Sequence, residues 1–234
     1  MSPTEGVLKE AWGLYKAHWR HFLTISFVVY VAIAIVGALL TAVLTWLGAL
    51  IAAVISLVGL FWVQGALVKA VDDVRDGRAD LSFRETFDRV RPQLASIVVA
   101  GILAGLAIFI GLLLLIAPGL FLMTIWCLIV PVIVLEGTSA GEAFGRSREL
   151  VRGYGWNVFG VIVLAILLLL GFSIVLGLIL TPLADWLQNF VSNIVSGTLT
   201  APFIALTLTL LYYRLRQAKS AAVEQPAPAA PPAS

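Results

Sequence analysis

Four long stretches of this chain contain no aspartate, glutamate, lysine, arginine or histidine. They cover residues 22–68, 92–135, 153–184 and 186–213. An α-helix crosses about 30 Å of hydrocarbon with about 20 apolar residues, because each residue adds about 1.5 Å of length. The first two stretches are long enough for two such helices each, and the last two for one each. The sequence therefore predicts an all-α integral membrane protein with six transmembrane helices arranged as three hairpins.

The composition and the local pattern favour the same fold class. Hydrophobic residues make up 61% of the chain and charged residues 12%, whereas soluble domains average about 45–50% and about 25%. A membrane β-barrel would alternate apolar and polar residues along each strand, and the run LAILLLLGFSIVLGLIL does not alternate. The predicted spans are about 22–45, 49–68, 94–116, 119–135, 157–180 and 191–213.

The distribution of positive charge predicts the orientation. All 15 lysines and arginines precede the first span, follow the sixth, or lie between spans two and three or four and five. These positions share one side of the membrane, and the positive-inside rule makes that side cytoplasmic. We expect a multi-pass protein of the bacterial inner (plasma) membrane with both termini inside. Residues 220–234 are rich in proline and alanine and are predicted to be a disordered tail.

Three polar segments lead into spans one, three and five and resemble one another. Each contains Ser-x-x-Glu, beginning at Ser2, Ser82 and Ser139. This spacing is typical of a capping box, in which the serine and glutamate satisfy free amides at a helix start. We predict amphipathic interfacial helices at about 3–20, 82–92 and 139–155. The unit of surface helix, outgoing span and returning span would then occur three times, although any basic segment before a span tends to look similar.

Spacing within these segments predicts which side chains face the membrane. In the first segment, an apolar face is expected from Leu8, Trp12, Tyr15, Trp19 and Phe22. In the third, Glu142 and Arg146 have the i,i+4 spacing that favours an ion pair on a helix surface.

The region from residue 117 to residue 160 carries a family resemblance. Its matching features include Pro118-Gly119, Pro131, Glu136-Gly137, Arg146-Ser147 and Arg152-Gly153. This pattern resembles the glycerophosphoryl diester phosphodiesterase membrane-domain family and related bacterial inner-membrane proteins of the YciC type. The closing LTLLYYRLR is also similar, although that family commonly has an acidic residue at the position of Arg214. The resemblance implies a membrane domain only, without the catalytic barrel that accompanies it in some relatives.

Arg146, Ser147 and Arg152 are the leading candidates for a binding role. They lie at the predicted cytoplasmic surface, where two guanidinium groups and a hydroxyl could hold an anionic lipid headgroup or contact a partner. The alternative is that they only orient and anchor the helix.

The remaining candidates have simpler structural explanations. His18 and His21 could bind a metal, but interfacial polar residues explain them as well. An acidic cluster of Asp72, Asp73, Asp76 and Asp80 is better explained as a solvated helix end than as a cation site. Residues expected to shape the bundle are Gly101 and Gly105 for close packing, Pro118 and Gly119 for an outer turn, Pro131 and Pro202 for kinks, Cys127 for packing, and Glu136 within the family motif.

The spans leave little room for chemistry. They carry no ionisable aspartate, glutamate, lysine, arginine or histidine, and proton relays or ion pathways usually require such groups. No nucleophile with a neighbouring base is evident at membrane depth. The sequence therefore predicts a non-enzymatic protein that has no metal or cofactor and does not bind nucleic acid. We expect it to interact with lipid, to organise the membrane, or to support a membrane-protein partner or a second copy of itself. A permease for an apolar or amphipathic solute is the alternative.

Overall fold

A computed structural model describes residues 3–75, 81–182 and 184–224. These residues form nine α-helices, with one short 3-10 helix at Arg91–Gln93. The α-helices are α1 (Val7–Ala17), α2 (Trp19–Arg75), α3 (Phe83–Val90), α4 (Leu94–Leu114), α5 (Ile116–Trp126), α6 (Ile129–Glu136), α7 (Ala140–Val151), α8 (Gly155–Leu180) and α9 (Asp185–Glu224).

Five helical runs among these residues are long and apolar enough to cross a membrane. They are Trp19–Arg75, Phe83–Leu114, Ile116–Glu136, Gly155–Leu180 and Phe190–Ala221. The first run reverses direction at Thr45, whose φ of 51° and ψ of −123° are not helical. Ile33 packs on Gly59 so closely that a Cβ there would lie 2.7 Å from Ile33 Cδ1. Helix α2 is therefore a hairpin, with an outgoing arm before Thr45 and a return arm after it.

The second hairpin turns at Leu115, two residues earlier than the predicted boundary. Leu115 is extended, with φ −157° and ψ 135°, and separates α4 from α5. Pro118 and Gly119 therefore lie in the first turns of α5 and do not form the loop, which corrects the prediction. Proline is tolerated there because the first amides of a helix have no intrahelical partner. Gly119 permits close approach, since a Cβ would lie 2.6 Å from the Leu112 nitrogen.

The two prolines within predicted spans have different local effects. Before Pro131, the return arm of the second hairpin breaks at Cys127–Leu128, where α5 ends and α6 is about to begin. Proline lacks the amide that would bond the carbonyl four residues earlier, which weakens the helix at this point. Pro202, by contrast, lies inside α9 without interrupting it.

The outgoing arms of the three hairpins are α2 before Thr45, α4 and α8, and the return arms are α2 after Thr45, the pair α5–α6, and α9. The core is formed mainly by the return arms. Residues that are almost fully buried in these arms include Leu67, Val71, Leu128, Ile133, Leu206 and Leu211. The outgoing arms keep most of their apolar surface exposed; in α8 only Val158 and Ile162 are buried. The buried set lies toward the end of the bundle that carries Asp72, Glu136 and Tyr212, which we call the charged end.

Two of the three predicted capping boxes are confirmed. The Ser82 and Ser139 side chains each accept a hydrogen bond from the glutamate amide three residues later, and each glutamate carboxylate accepts from its serine amide. The three helices that lead into the hairpins, which we call the leading helices, are α1, α3 and α7. The first of them, α1, differs from the prediction. It begins at Val7 with Gly6 as N-cap, at φ 74° and without a side-chain cap, whereas Ser2 lies outside the described residues.

The leading helices α1, α3 and α7 pack against the bundle, and each uses the return arm of a neighbouring hairpin. The Tyr15 hydroxyl of α1 donates to the Leu199 carbonyl of α9. The ring of Phe87 in α3 meets Trp62 of α2 edge-on at 5.5 Å. Helix α7 packs on the broken arm α5–α6. In cyclic order, each leading helix contacts the return arm of the hairpin before it.

This packing changes the expected faces of α1. Its buried residues are Val7, Ala11 and Tyr15. Trp12 and Trp19, expected to share the apolar face, are about half exposed. The prediction treated α1 as an isolated interfacial helix, whereas Tyr15 bonds α9 and the Trp12 ring meets Phe203 of α9 edge-on at 6.3 Å between ring centroids.

Candidate functional site

Ser147 is a structural residue and does not face the surface. It is fully buried, and its hydroxyl donates to the Ile125 carbonyl at 2.8 Å and accepts from the Leu128 amide at 3.3 Å. These backbone groups flank the break between α5 and α6. In an apolar medium an unpaired backbone group costs several kcal/mol, so Ser147 replaces the pairing that the break removes. The expectation that Ser147 contacts a headgroup is therefore corrected.

Arg146 lies in an ion-pair network at the charged end. Its Nε is 2.9 Å from a Glu136 carboxylate oxygen, and its Nη1 is 3.0 Å from Glu149. The hydrogen bond to Glu136 is the main cause that raises the pKa of Arg146. Glu142, the expected partner at i,i+4, instead accepts from the Ser139 amide and hydroxyl. Arg146 thus links α7 to the end of α6 through its ion pair with Glu136.

The end of α9 connects this network to the first hairpin. The Tyr212 hydroxyl donates to Glu136 at 2.8 Å, while the adjacent Tyr213 hydroxyl donates to Asp72. The Arg75 guanidinium lies over the Tyr213 ring at 3.6 Å from its centroid. Neighbouring side chains of one helix thereby hold carboxylates from two hairpins. A third contact comes from Arg214, which pairs with Glu10 of α1.

Arg148 of α7 and Arg152, the residue that follows its last turn, lie on a different side. With Gly145 and Glu149 they follow the i, i+3, i+4, i+7 spacing of one helical stripe. Both arginines are exposed. Within the described part of the chain, neither guanidinium group pairs with a carboxylate. Lys219 lies nearby, because its Nζ donates to the Arg152 carbonyl at 2.7 Å.

This stripe forms the rim of a groove between α7, α5 and the start of α8, which we call the α7 groove. It consists of two adjoining cavities of about 560 and 650 Å³, each within the size range of ligand pockets. Phe121, Ile125, Gly153 and Gly155 line both cavities. The first cavity has Arg148, Glu149 and Arg152 at its edge. The second is mostly apolar and extends along α5 to Ala117.

The positions of the two arginines differ from the expectation. The sequence selected Arg146 with Arg152, whereas the structure brings Arg148 and Arg152 together on the groove. Reasoning from sequence missed Arg148 as a site residue, although its i,i+4 spacing from Arg152 was visible. Tyr212 was also missed, and no local signal could have identified it, because its partner Glu136 is 76 positions away.

His18, Asp72 and Asp73 have local structural roles. His18 forms the break between α1 and α2, where its amide donates to the Leu14 carbonyl. Asp72 pairs with Lys69 at 2.7 Å, and Asp73 accepts from the Leu81 amide; Asp76 and Asp80 lie outside the described residues. In the described ranges no group of three or more His, Cys, Asp or Glu residues could hold a metal.

The glycine pair of α4 is divided between two environments. Gly101 packs against the Phe61 ring, where a Cβ would lie 2.1 Å from Phe61 Cε1. Gly105 faces open space. Only Gly101 therefore contributes close packing within the bundle.

Comparison with known protein families places the chain in one of them. Residues 93–223 match the family described as Domain of unknown function (DUF7847). The chain belongs to the DUF7847 family. The matched region runs from the 3-10 helix before α4 through nearly all of α9, so it contains the α7 groove and the Glu136–Arg146–Tyr212 network of this DUF7847 protein. No curated protein and no solved structure matches it.

Proposed function

We propose that this chain is a non-enzymatic membrane protein that crosses the bacterial inner membrane six times and holds lipid at its charged end. The single observation that carries the lipid-binding role is the α7 groove, which joins an apolar wall to a rim with Arg148 and Arg152. A ligand that fits both surfaces has an apolar body and an anionic group. Membrane lipids have this chemistry and surround every side of such a protein.

The six-span arrangement and the repeat are supported by packing. The reversal at Thr45 divides the longest apolar run into two arms, which brings five helical runs to six arms. Each leading helix contacts the return arm of the preceding hairpin, as three copies of one unit arranged cyclically would do. The concentration of basic residues at the predicted cytoplasmic ends of the spans supports an orientation with both termini in the cytoplasm.

The glycerophosphoryl diester phosphodiesterase membrane-domain resemblance fits this proposal without adding an activity. Two of its motif residues have structural roles. Pro131 is buried in the first turn of α6, and Glu136, the last residue of α6, pairs with Arg146. Pro118 and Gly119 shape the second hairpin. We therefore propose a lipid-organising or accessory role rather than catalysis.

Native mass spectrometry of the protein extracted from inner membranes tests this function. We expect the intact chain to carry phospholipid that survives mild detergent. A chain that retains no lipid of any class under conditions that preserve its helical content would refute the lipid-holding role.

A permease for an amphipathic solute is the second candidate, and one observation favours it. A cavity of about 710 Å³ opens between the first hairpin and α9, lined partly by Tyr30, Thr41, Ser56 and Asn193. Hydroxyl and amide groups in such a position could accept a solute with polar groups. Uptake of an amphipathic solute into proteoliposomes, abolished by Ser56→Leu, would support transport; equal uptake by empty liposomes would exclude it for that solute.

A further inference from the structure

We propose that the α7 groove binds one anionic phospholipid, whose phosphate lies between Arg148 and Arg152 and whose acyl chain lies against α5. This inference rests on the proposed function, that the chain spans a membrane and holds lipid. It adds where the phosphate and the acyl chain lie and that the site prefers a lipid with a net negative charge.

The rim of the groove has a positive balance of charge. Arg148 and Arg152 are one helical turn apart and both line the cavity. Glu149 also lines it, but its carboxylate is engaged by Arg146 at 3.0 Å. Guanidinium groups bind phosphate oxygens through paired, charge-assisted hydrogen bonds. Two arginines without carboxylate partners in the described residues therefore suit a phosphodiester group.

The body of the groove distinguishes a lipid from a soluble anion. Ala117, Phe121 and Ile125 form one stripe of α5 that extends for about 12 Å at the rise of an α-helix. Thr124 adds little polarity to this wall, because its hydroxyl bonds the Leu120 carbonyl of its own helix at 2.8 Å. A free phosphate would use only the rim. The apolar continuation toward Ala117 favours a ligand with a hydrocarbon chain.

The aromatic residue beside the groove supports the same orientation. Trp156 lines the apolar cavity, yet it is 86% exposed. Indole rings favour the headgroup region of a bilayer. A headgroup at Arg148 and Arg152 would therefore lie near the interface, with its chain directed away from the charged end.

The corresponding grooves beside the other leading helices differ in charge. The groove between α3 and the first hairpin contains Arg84, but Asp88 pairs with it at 3.7 Å. The groove between α1, α8 and α9 is lined by Leu8, Trp12 and Tyr15 on its α1 side. Neither presents two arginines without carboxylate partners. Anionic selectivity is accordingly assigned to the α7 groove.

The test compares lipid retention by the full chain reconstituted in nanodiscs of equal parts phosphatidylglycerol and phosphatidylcholine. Native mass spectrometry after release measures the ratio of the two bound lipids. We expect wild type to retain phosphatidylglycerol preferentially, and Arg148→Gln and Arg152→Gln each to lower that preference about five-fold, because each would lose the roughly 1 kcal/mol that a basic residue contributes where it meets an anionic lipid, whereas the charge of Arg84 is offset by Asp88. Arg84→Gln is the matched control and should leave the preference unchanged.

A second measurement locates the acyl chain. Phosphatidylglycerol carrying a photoreactive group in its chain should label peptides of α5, and Phe121→Ala should reduce that labelling while Arg84→Gln does not. Excess inorganic phosphate should fail to displace the lipid.

The outcomes separate this inference from the function beneath it. Loss of all lipid from wild type would refute both. Retention of lipid with the same phosphatidylglycerol preference in the Arg148→Gln and Arg152→Gln variants would overturn only the anionic site, as would an equal loss in the Arg84→Gln control. Displacement by inorganic phosphate without labelling of α5 would assign the rim to a soluble anion instead.

Discussion

The Tyr212 hydroxyl donates a hydrogen bond of 2.8 Å to the carboxylate of Glu136, which also accepts from Arg146. Three helices, α6, α7 and α9, therefore meet at one carboxylate. The neighbouring Tyr213 holds Asp72 of α2 in the same way. The packing of α7, and hence the shape of its groove, depends on this meeting point.

Tyr212→Phe should destabilise the protein because it removes the hydroxyl while the partly buried Glu136 carboxylate remains. A hydrogen bond to a charged group contributes about 1.5–3 kcal/mol, so we expect a loss of about 2 kcal/mol in the free energy of unfolding in detergent. Tyr154→Phe is the matched control, because Tyr154 contacts Lys219 through its ring, whose centroid lies 6.0 Å from Lys219 Nζ. Equal stability of Tyr212→Phe and wild type would show that the bond to Glu136 contributes nothing.

Ser147→Ala should cost more than an ordinary buried serine substitution. It leaves the Leu128 amide and the Ile125 carbonyl without their side-chain partner, and an unsatisfied buried polar group costs about 1–3 kcal/mol. Ser26→Ala provides the comparison, because Ser26 is also fully buried but bonds only the Phe22 carbonyl of its own helix. Chemical unfolding of both variants measures the difference, and similar losses would contradict the role assigned to Ser147.

The hairpin arrangement predicts which positions share a side of the membrane. In a chain with Cys127→Ala, single cysteines at Leu115 and Thr181 should react with a membrane-impermeant maleimide from outside intact cells. A cysteine at Ser220 should react only after permeabilisation. Labelling of Leu115→Cys and Ser220→Cys from the same side would exclude six spans with cytoplasmic termini.

The start of α7 should depend on pH. Hydrogen bonds from Ser139 hold the pKa of Glu142 below its ordinary value of 4.5, and the bond from the Ser139 amide has a larger effect than the bond from its hydroxyl. A depressed folded-state pKa contributes stability above the ordinary pKa, and that contribution is lost as pH falls through the folded value. The protection of the amides at residues 139–143, measured relative to their intrinsic exchange rates at each pH, should therefore fall below about pH 4.5.

Glu142→Gln is the control for this effect, because glutamine can complete a capping box without titrating. The acid-dependent loss of protection at residues 139–143 should be smaller in that variant than in wild type. The same pH profile in both proteins would contradict the role assigned to Glu142.

Local patterns predicted the helical architecture and the capped starts of two leading helices. The uncharged stretches predicted apolar helices because hydrocarbon excludes unpaired charge, and the Ser-x-x-Glu spacing identified Ser82 and Ser139 because a capping box is completed within four residues. The turns were less accurate. Apolar residues on both sides of Leu115 give no signal for the position of a reversal, and Pro118 is compatible with either a loop or the first turn of a helix.

The binding surface was only partly predictable. Spacing placed Arg146, Ser147 and Arg152 on one short helix, yet it could not tell which side of that helix the bundle would cover. Ser147 is buried because it bonds the backbone at the break between α5 and α6. Arg146 forms ion pairs with Glu136 and Glu149. Arg148 and Arg152 therefore line the groove together, because both lie on the side that the bundle does not cover.

The sequence by itself determined that this chain forms apolar helices, where its positive charge is concentrated, and where two of its surface helices begin, since each of these depends on residues close together in the chain. Only the tertiary structure decided that Tyr212 meets Glu136, that Ser147 supports a broken helix, and that Arg148 joins Arg152 above an apolar wall. Those relationships join positions far apart in sequence, and they arise because buried polar groups must find partners in the particular helices that packing brings beside them.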